Sequence, residues 1–295
     1  MCVGGFNLKR NKKFIKKYIT SRFDIPGYKE ETIEEALRKA NYVLKNVSNL
    51  SSTEFNDLLP KQFRMIFGTG RWEVGSILLR SRLIGVSIAN LKDAGHWKES
   101  EFWEAPAKLV KTYGRLNEPG ESVFYLSNNP LQTFKEIRYQ VDDNKNQAVI
   151  LNSYKVKKGF TANIIGKKFN NVTDASQVYS NMINTLFSYP SEIYGENVYK
   201  LSNFLSNFYR FLPEGPRVFA YPPVGETDER LINLAFEPED AHEYLEYNGS
   251  VIIPDYNNSV DSNITVSVAS DKYFNFINPS DNLPWIRDNF YIDFT

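Results

Sequence analysis

The sequence has little of the residues that build disulfides and metal sites, with one cysteine and two histidines in 295 residues. Because Cys2 has no second cysteine to pair with, an intrachain disulfide is excluded, which suits a reducing cytosol. His96 and His242 are far apart in the sequence and lack the spacing of metal ligands. We therefore expect no metal and predict that both histidines are structural or lie at the surface.

A net charge is also missing, since 35 basic and 35 acidic side chains balance. No overall field therefore favours nucleic acid or an anionic membrane as a partner. A basic cluster at residues 9–17 could form a nucleic-acid-binding arm or a solvated amphipathic segment, and the zero net charge favours the second. No apolar run approaches the length of a membrane span, and the N-terminal residues lack the apolar core of a signal peptide. We predict a cytoplasmic protein without a membrane partner.

The common nucleotide-binding fingerprints are absent too. Without a Walker loop or a Rossmann glycine motif, any nucleotide would have to be bound by another geometry. A chain that is 42% hydrophobic can bury a sizeable core. After residue 74, predicted strands mix with helices without regular βαβ units, which indicates an α+β fold. We divide the chain into a helical N-terminal region at residues 1–70 and a single domain at residues 71–295.

Two capping boxes predict helices in the N-terminal region. Thr32 with Glu35 begins the first helix, and a second box at Ser51 begins another, which Pro60 disturbs or ends. The region could serve packing, oligomerisation or contact with an inhibitor. The apolar stripe of the first helix is predicted to consist of Leu37, Ala40, Val43 and Leu44.

The stretch Gly114–Glu136 predicts a loop, a short strand and a helix in close succession. Glycines at both ends of Gly114–Gly120 and a proline inside it make a tight turn. Asn129 as N-cap and Pro130 at the first helical position begin the helix. Alternation along the strand puts one set of side chains on the same face: Val123, Tyr125 and Ser127. The whole stretch presents four polar side chains: Arg115, Asn117, Tyr125 and Glu136.

These residues resemble the RES domain family, which is named for its Arg, Glu and Ser residues. The core of the resemblance is GRLNEPG, then VFYLS, then a helical glutamate. Upstream, Leu78–Leu83 resembles the family's first arginine motif, and Phe102–Pro106 resembles the lead-in to its loop. Downstream, Ala220–Val224 and Ile232–Phe236 resemble its closing segment. Together the matches cover roughly residues 75–250.

The resemblance implies a catalytic core like that of ADP-ribosylating toxins, with short sheets, flanking helices and an NAD cleft between the sheets. It implies a toxin or defence effector that depletes cellular NAD by cleaving the nicotinamide–ribose bond. NAD would then be the substrate rather than a resident cofactor. An antitoxin or regulatory protein would be the partner. The resemblance leaves open whether the chain forms a homo-oligomer.

Cleavage of that bond passes through a state like an oxocarbenium ion, which a carboxylate near the anomeric carbon stabilises. The resemblance makes Glu136 this catalytic carboxylate. Arg80 and Arg115 would hold the pyrophosphate, and Tyr125 would form a wall for the nicotinamide. Asn117 would either bond the ribose or hold its own loop. The remaining candidates for binding NAD are Ser127, Tyr221 and Asn233.

Each candidate has a plain structural alternative. Arg115 could pin its own loop through an acidic side chain, and Tyr125 could be a half-buried strand residue. Glu136 could be one of the many glutamates that are solvated on helices. Arg80 competes with Arg82 for the arginine role, and we expect one of the two to be an ordinary surface residue.

One position departs from the family pattern. Where family members carry Tyr-Pro-Ser or a close equivalent, this chain reads Tyr221-Pro222-Pro223, and a proline offers neither a hydroxyl nor an N–H. Either Ser127 or Thr227 substitutes for the missing hydroxyl, or the activity is altered. Two rivals to NAD cleavage stay open: transfer of ADP-ribose to a macromolecular target, and a catalytically silent nucleotide-binding module, which Pro223 favours.

Overall fold

The chain forms two compact units. The computed structural model describes residues 31–58, 68–84, 99–138, 148–166, 168–210, 217–226, 228, 230–253, 265–270, 273–277 and 283–291. The helical unit draws its described residues from Met1–Gly70, Lys111–Glu121 and Asn163–Gly225. The sheet unit draws its described residues from Arg71–Val110, Ser122–Ala162 and Glu226–Thr295.

Helices and strands are interspersed along the described residues. The helices are α1 (Ile33–Asn46), α2 (Ser52–Leu58), α3 (Pro130–Glu136), α4 (Ala175–Ser188), α5 (Ser191–Tyr194), α6 (Asn197–Arg210), α7 (Pro238–Tyr244) and α8 (Leu283–Phe290). The strands are β1 (Gly68–Trp72), β2 (Ile77–Ile84), β3 (Phe124–Ser127), β4 (Ala148–Val156), β5 (Phe160–Ile164), β6 (Val218–Tyr221), β7 (Asn233–Phe236), β8 (Leu245–Ile253), β9 (Thr265–Ser270) and β10 (Tyr273–Ile277). Two short 3-10 helices lie at Glu99–Glu101 and Ala107–Leu109.

Within the helical unit, α1 packs against α4. The buried face of α1 consists of Ala36, Ala40 and Val43, which recur at the spacing of one helix face. Leu37, which the sequence assigned to this face, is exposed instead, because it lies about 100° round the helix from Ala36. Small side chains, and not the leucine, therefore form this contact.

The N-terminus of α1 carries the predicted capping box. The Thr32 hydroxyl accepts a hydrogen bond from the Glu35 backbone N–H at 3.2 Å, and the Glu35 carboxylate accepts one from the Thr32 N–H at 3.1 Å. We expect Thr32→Ala to lower the free energy of unfolding by about 1 kcal/mol, because the Glu35 N–H in the first turn loses its side-chain partner. Urea denaturation of the variant measures this loss. Thr32→Ser keeps the hydroxyl, so an equal loss in both variants would contradict the capping explanation.

The sheet unit is built on one antiparallel arrangement of strands. The order of its strands is β7-β3-β2-β4-β8-β9-β10, and neighbouring strands run antiparallel. At the β7 end of this order, Leu79 of β2 lies opposite Ser127 of β3, which in turn lies opposite Asn233 of β7. The three residues form a row across the sheet.

The two faces of this sheet differ in the residues that lie on them: helices pack on one, and two arginines lie on the other. Residues directly opposite each other in an antiparallel pair share a face, and successive residues alternate. Leu79 packs in a buried apolar cluster with Phe134 of α3 and with Ile286 and Phe290 of α8. We call this side the helix-covered face. The opposite side carries Leu78, Arg80 and Arg82 of β2, and we call it the arginine face.

The predicted α+β class is confirmed by this mixture of helices with an antiparallel sheet.

The predicted boundary at residue 70 differs from the division into compact units. Segments far along the chain, Lys111–Glu121 and Asn163–Gly225, join the N-terminal helices, because α1 packs on α4 and such long-range contacts leave no mark in a linear pattern. Among the helices that the structure describes, none is long and apolar enough to cross a bilayer.

Candidate functional site

Helix α3 begins as its sequence predicts and is fixed to the sheet. The Asn129 side chain caps its first turn by accepting a hydrogen bond from the Gln132 N–H at 3.2 Å, and Pro130 occupies the first helical position. The hydroxyls of Thr133 and Ser81 are 2.6 Å apart and share a hydrogen bond. This buried contact ties α3 to β2 and fixes the rotation of the helix over the sheet.

Glu136 is the last residue of α3, and its side chain is exposed. One carboxylate oxygen, Oε1, accepts hydrogen bonds from two amides. Asn233 Nδ2 of β7 donates at 2.7 Å, and Gln132 Nε2 donates at 3.1 Å from one turn earlier on the helix. An exposed glutamate normally samples many rotamers. Here two donors that are themselves buried hold the carboxylate in one orientation while solvent can reach it.

The two amides have a second property in common. Gln132 and Asn233 are 2% and 3% exposed, and among the described residues Gln132 Oε1 and Asn233 Oδ1 have no hydrogen-bond partner. The orientation of both amides follows from Glu136, because a carboxylate accepts and only the NH₂ end of an amide donates. The neighbourhood of Glu136 therefore contains two buried, unused acceptor oxygens.

Tyr125 and Ser127 of β3 lie on the same sheet face as Asn233. Ser127 is paired directly with Asn233, and Tyr125 is paired with Ala235. Tyr125 is half-buried, whereas Ser127 is buried, and the Ser127 hydroxyl is 3.4 Å from the carbonyl of Ile232. Four of the residues predicted for the site thus gather on the helix-covered face: Tyr125, Ser127, Glu136 and Asn233.

Arg80 does not join them. It follows Leu79, which shares its face with Ser127, so the Arg80 side chain points to the arginine face. There it donates a hydrogen bond to the carbonyl of Trp103 at 2.5 Å and lies over the ring of Phe124, 5.0 Å from its centre. Strand alternation thus places Arg80 on the face opposite to Tyr125, and the structure does not bring it together with Tyr125 and Glu136. Its role in holding phosphate stays a prediction.

Arg82 also lies on the arginine face, two residues beyond Arg80. Its guanidinium donates to the carbonyls of Trp103 and Glu101. Burial, and after it the nearby positive charge of Arg82, lowers the pKa of Arg80 to about 10. Burial lowers the pKa of Arg82 as well. The expectation that one of these arginines is an ordinary surface residue is therefore not met, since both are half-buried and share a carbonyl.

Arg115 lies in the helical unit, where it serves the end of α4. Its side chain is buried, donates to the carbonyl of Leu186 at 3.4 Å and also donates to the carbonyl of Tyr189. The guanidinium lies 4.9 Å from the ring centre of Tyr199. A cation is favourable at the C-terminus of a helix, where carbonyls lack helical partners. Arg115 therefore bonds carbonyls at the end of α4.

Asn117 and Tyr221 are also in the helical unit. The Asn117 amide donates to the carbonyls of Thr112 and Glu118 at 3.4 and 3.3 Å, so it holds its own loop as one of the two alternatives expected. Tyr221 is buried, with its ring centre 6.1 Å from that of Phe187. Contacts inside the protein account for both residues, and their roles in binding NAD stay predictions.

Gln132 is the residue of the site that the sequence analysis missed. The signal was present, because residues four apart on a helix meet, and Gln132 precedes Glu136 by four. Its orientation toward the carboxylate could have been predicted from that spacing. Its burial could not, since this depends on how α3 lies on the sheet.

The remaining predictions have mixed outcomes. His242 is exposed and its Nε2 lies 3.3 Å from a Glu104 carboxylate oxygen, as suits a surface position. His96, Pro60, Thr227, Cys2 and the basic cluster at residues 9–17 fall outside the described residues. Across the residues that are described, no group of three or more His, Cys, Asp or Glu side chains is arranged to hold a metal ion.

Comparisons with known proteins give one structural likeness. No protein-family model matches the chain, and no curated protein matches it either. A chain in the crystal structure of the M. tuberculosis MbcT–MbcA toxin–antitoxin complex is similar over 75% of this chain and 92% of that one, with 11% sequence identity and a TM-score of 0.36. A likeness at this level does not establish a family or an activity. The function proposed for the chain therefore depends on the side chains of its own candidate site.

Proposed function

We propose that the protein is an NAD-consuming toxin or defence effector that cleaves the nicotinamide–ribose bond. One observation supports this above all. The Glu136 carboxylate is open to solvent, yet the buried amides of Gln132 and Asn233 hold it in a single orientation. An incidental surface glutamate has no need of two buried donors, whereas a carboxylate that must face one ligand atom does.

The chemistry follows from that orientation. As the bond between the ribose anomeric carbon and the nicotinamide nitrogen breaks, its electron pair leaves with nicotinamide, and positive charge develops on the ribose. A carboxylate beside the anomeric carbon stabilises this charge. Glu136 would then orient water or phosphate for attack and take its proton. The leaving nicotinamide is neutral, so this step needs no strong general acid.

Neighbouring residues on the helix-covered face suit the rest of the ligand. The Tyr125 ring is half-buried and would serve as a wall for nicotinamide. The Ser127 hydroxyl lies in the same row of the sheet as Asn233, and we propose that it replaces the serine that Pro223 displaces. An enzyme that removes cellular NAD must be restrained during growth, so an antitoxin or a regulatory protein belongs to this proposal.

A second candidate function has an observation of its own in its favour. Arg80, expected to hold the NAD phosphates, lies on the sheet face opposite to Asn233 and Glu136. An arginine on the face away from the carboxylate does not suit cleavage at Glu136, and this favours a catalytically silent nucleotide-binding module as the alternative. That module binds NAD without releasing nicotinamide, so measurements of binding and turnover on one sample separate the two functions.

The test is incubation of the purified protein with NAD, followed by chromatography of the products. We expect nicotinamide together with free ADP-ribose, or with the phosphorolysis product when phosphate is supplied. ADP-ribose found on a macromolecule after addition of cell lysate would instead identify a transferase. If no nicotinamide is released with water, phosphate or lysate, the proposed cleavage is wrong.

A further inference from the structure

We propose that Asn128 is a positioning residue for Glu136. Asn128 lies between the end of β3 and the start of α3, and its side chain ties this junction to the residues just before β7. It would thereby set the position of the Glu136 carboxylate relative to the Asn233 amide that bonds it. The inference deepens the proposed function and rests on it only for the effect on turnover.

The Asn128 amide uses both of its ends to bond the backbone. Its Oδ1 accepts a hydrogen bond from the Ile232 N–H at 3.0 Å, and its Nδ2 donates to the Arg230 carbonyl at 2.8 Å. The Asn128 backbone N–H also donates to the Ile232 carbonyl at 3.2 Å. Three hydrogen bonds therefore hold Asn128 against the chain that leads into β7. A side chain needs both an acceptor and a donor to make the first two.

The neighbours of this link lead directly to the carboxylate. On one side, Asn129 follows Asn128 and is the N-cap of α3, the helix that ends at Glu136. On the other side, Ile232 precedes Asn233, whose Nδ2 donates to Glu136 Oε1 at 2.7 Å. The contact between Asn233 and Glu136 thus closes a ring that begins and ends at Asn128.

The Glu136–Asn233 bond is the part of this ring that depends most on spacing, because it joins α3 to β7. The bond from Gln132 lies within α3, so it does not change when the helix moves as a body. Strand pairing of β3 with β7 ends where Ser127 lies opposite Asn233. Asn128 continues the bonding one step beyond this pair, at the point where the chain leaves the sheet to form α3.

A second tie between α3 and the chain before β7 is the ion pair of Lys135 with Glu226. The Lys135 side chain is 62% exposed, so water and salt screen the pair, and it contributes little to the position of the helix. The hydrogen bonds of Asn128 are between neutral groups and are not screened in this way. Asn128 is therefore the stronger constraint of the two.

The effect on turnover follows from the geometry. A displacement of about 1 Å at a reacting group can lower a rate by about 100-fold. We expect Asn128→Leu to lower kcat by about tenfold or more. The KM for NAD should change by no more than about twofold, since Asn128 would not touch the substrate.

Asn181→Leu is the matched control, because Asn181 uses its amide in the same way. Its Oδ1 accepts from the Phe169 N–H at 2.7 Å, and its Nδ2 donates to the Phe169 carbonyl at 2.8 Å. Both asparagines are half-buried, but Asn181 belongs to the helical unit and Asn128 to the sheet unit. Asn181→Leu should therefore lower the melting temperature as Asn128→Leu does, without altering the contacts of Glu136.

The experiment observes the Asn233 side-chain NH₂ by ¹H–¹⁵N NMR, so it does not depend on NAD. An N–H bonded to a carboxylate resonates downfield and exchanges slowly with water, and the signal is assigned by its loss in Asn233→Leu. We expect the wild type and Asn181→Leu to share this signal. In Asn128→Leu it should move upfield and exchange about tenfold faster or more.

Asn128→Asp is the milder variant, because it keeps the acceptor for the Ile232 N–H and loses only the donor to the Arg230 carbonyl. Its effect on the Asn233 signal should be smaller than that of leucine. Thermal unfolding of each variant shows whether the fold is kept, and Asn128→Asp supplies the result if the leucine variant does not fold.

Initial rates of nicotinamide release over a range of NAD concentrations separate kcat from KM on the same samples. Four results overturn the inference: no carboxylate-bonded Asn233 signal in the wild type, an unchanged signal in the folded Asn128 variants, an equal change in Asn181→Leu, or a wild-type kcat in Asn128→Leu. If the wild type releases no nicotinamide but its Asn233 signal depends on Asn128, the proposed cleavage is wrong and the positioning role of Asn128 stands.

Discussion

Glu136→Gln should reduce the rate of nicotinamide release by about a thousandfold or more. The substitution removes the negative charge that would stabilise the developing positive charge on the ribose, while keeping the size of the side chain. Gln132 and Asn233 can bond an amide in place of the carboxylate, so the fold of α3 should survive. The measurement is the initial rate of nicotinamide release from saturating NAD, followed by chromatography.

Glu239→Gln is the matched control, because Glu239 is exposed on α7, within the same sheet unit. Its rate should equal that of the wild type. Expression in cells gives a second comparison, since a toxin should slow growth and the Glu136→Gln variant should not. A Glu136→Gln enzyme that releases nicotinamide at the wild-type rate would remove Glu136 from the chemistry.

Arg115→Met should lower the free energy of unfolding by about 3–5 kcal/mol. Methionine approximates the length of the arginine stem but cannot donate to the carbonyls of Leu186 and Tyr189. Those carbonyls would lose charge-assisted partners at the C-terminus of α4. The contact of the guanidinium with the ring of Tyr199 would be lost as well. Denaturant unfolding followed by circular dichroism measures the change.

Arg287→Met serves as the control for Arg115→Met. Arg287 is exposed in the last turn of α8, so its loss should change the free energy of unfolding by at most about 0.5 kcal/mol. Wild-type stability in Arg115→Met would show that the bonds to α4 contribute little. Because we expect a large loss, any decrease in activity of an Arg115 variant has to be compared with its folded fraction before Arg115 is assigned a part in the reaction.

The features that the sequence predicted correctly are mostly local. The N-cap at Asn129 and the capping box at Thr32 depend on residues three positions apart, so their partners are visible in the sequence. The same holds for the alternation that puts Tyr125 and Ser127 on one face. Gln132 was equally accessible, because its partner lies one helical turn away.

The features that it could not predict depend on distant partners. Strand alternation separates Arg80 from Leu79, but only the pairing of Leu79 with Ser127 determines which of them shares a face with the site. Arg115 finds its partners 71 and 74 residues later in the chain. No local pattern marks the end of α4 as the place where a buried guanidinium is needed. The family resemblance indicated the candidate residues, and the register of the sheet determines which of them lie on the same face.

The separation of the two sheet faces has a consequence for how substitutions should combine. Among the residues that the structure describes, Arg80 and Glu136 share no bonding partner. Arg80 bonds the Trp103 carbonyl on one face of the sheet, and Glu136 bonds the amides of Gln132 and Asn233 on the other. Sites without shared partners have additive effects on stability, usually within about 0.5 kcal/mol. In a double-mutant cycle of Arg80→Met and Glu136→Gln, the coupling energy in unfolding should therefore be near zero. The arginine face could then change through evolution without altering the surroundings of the carboxylate.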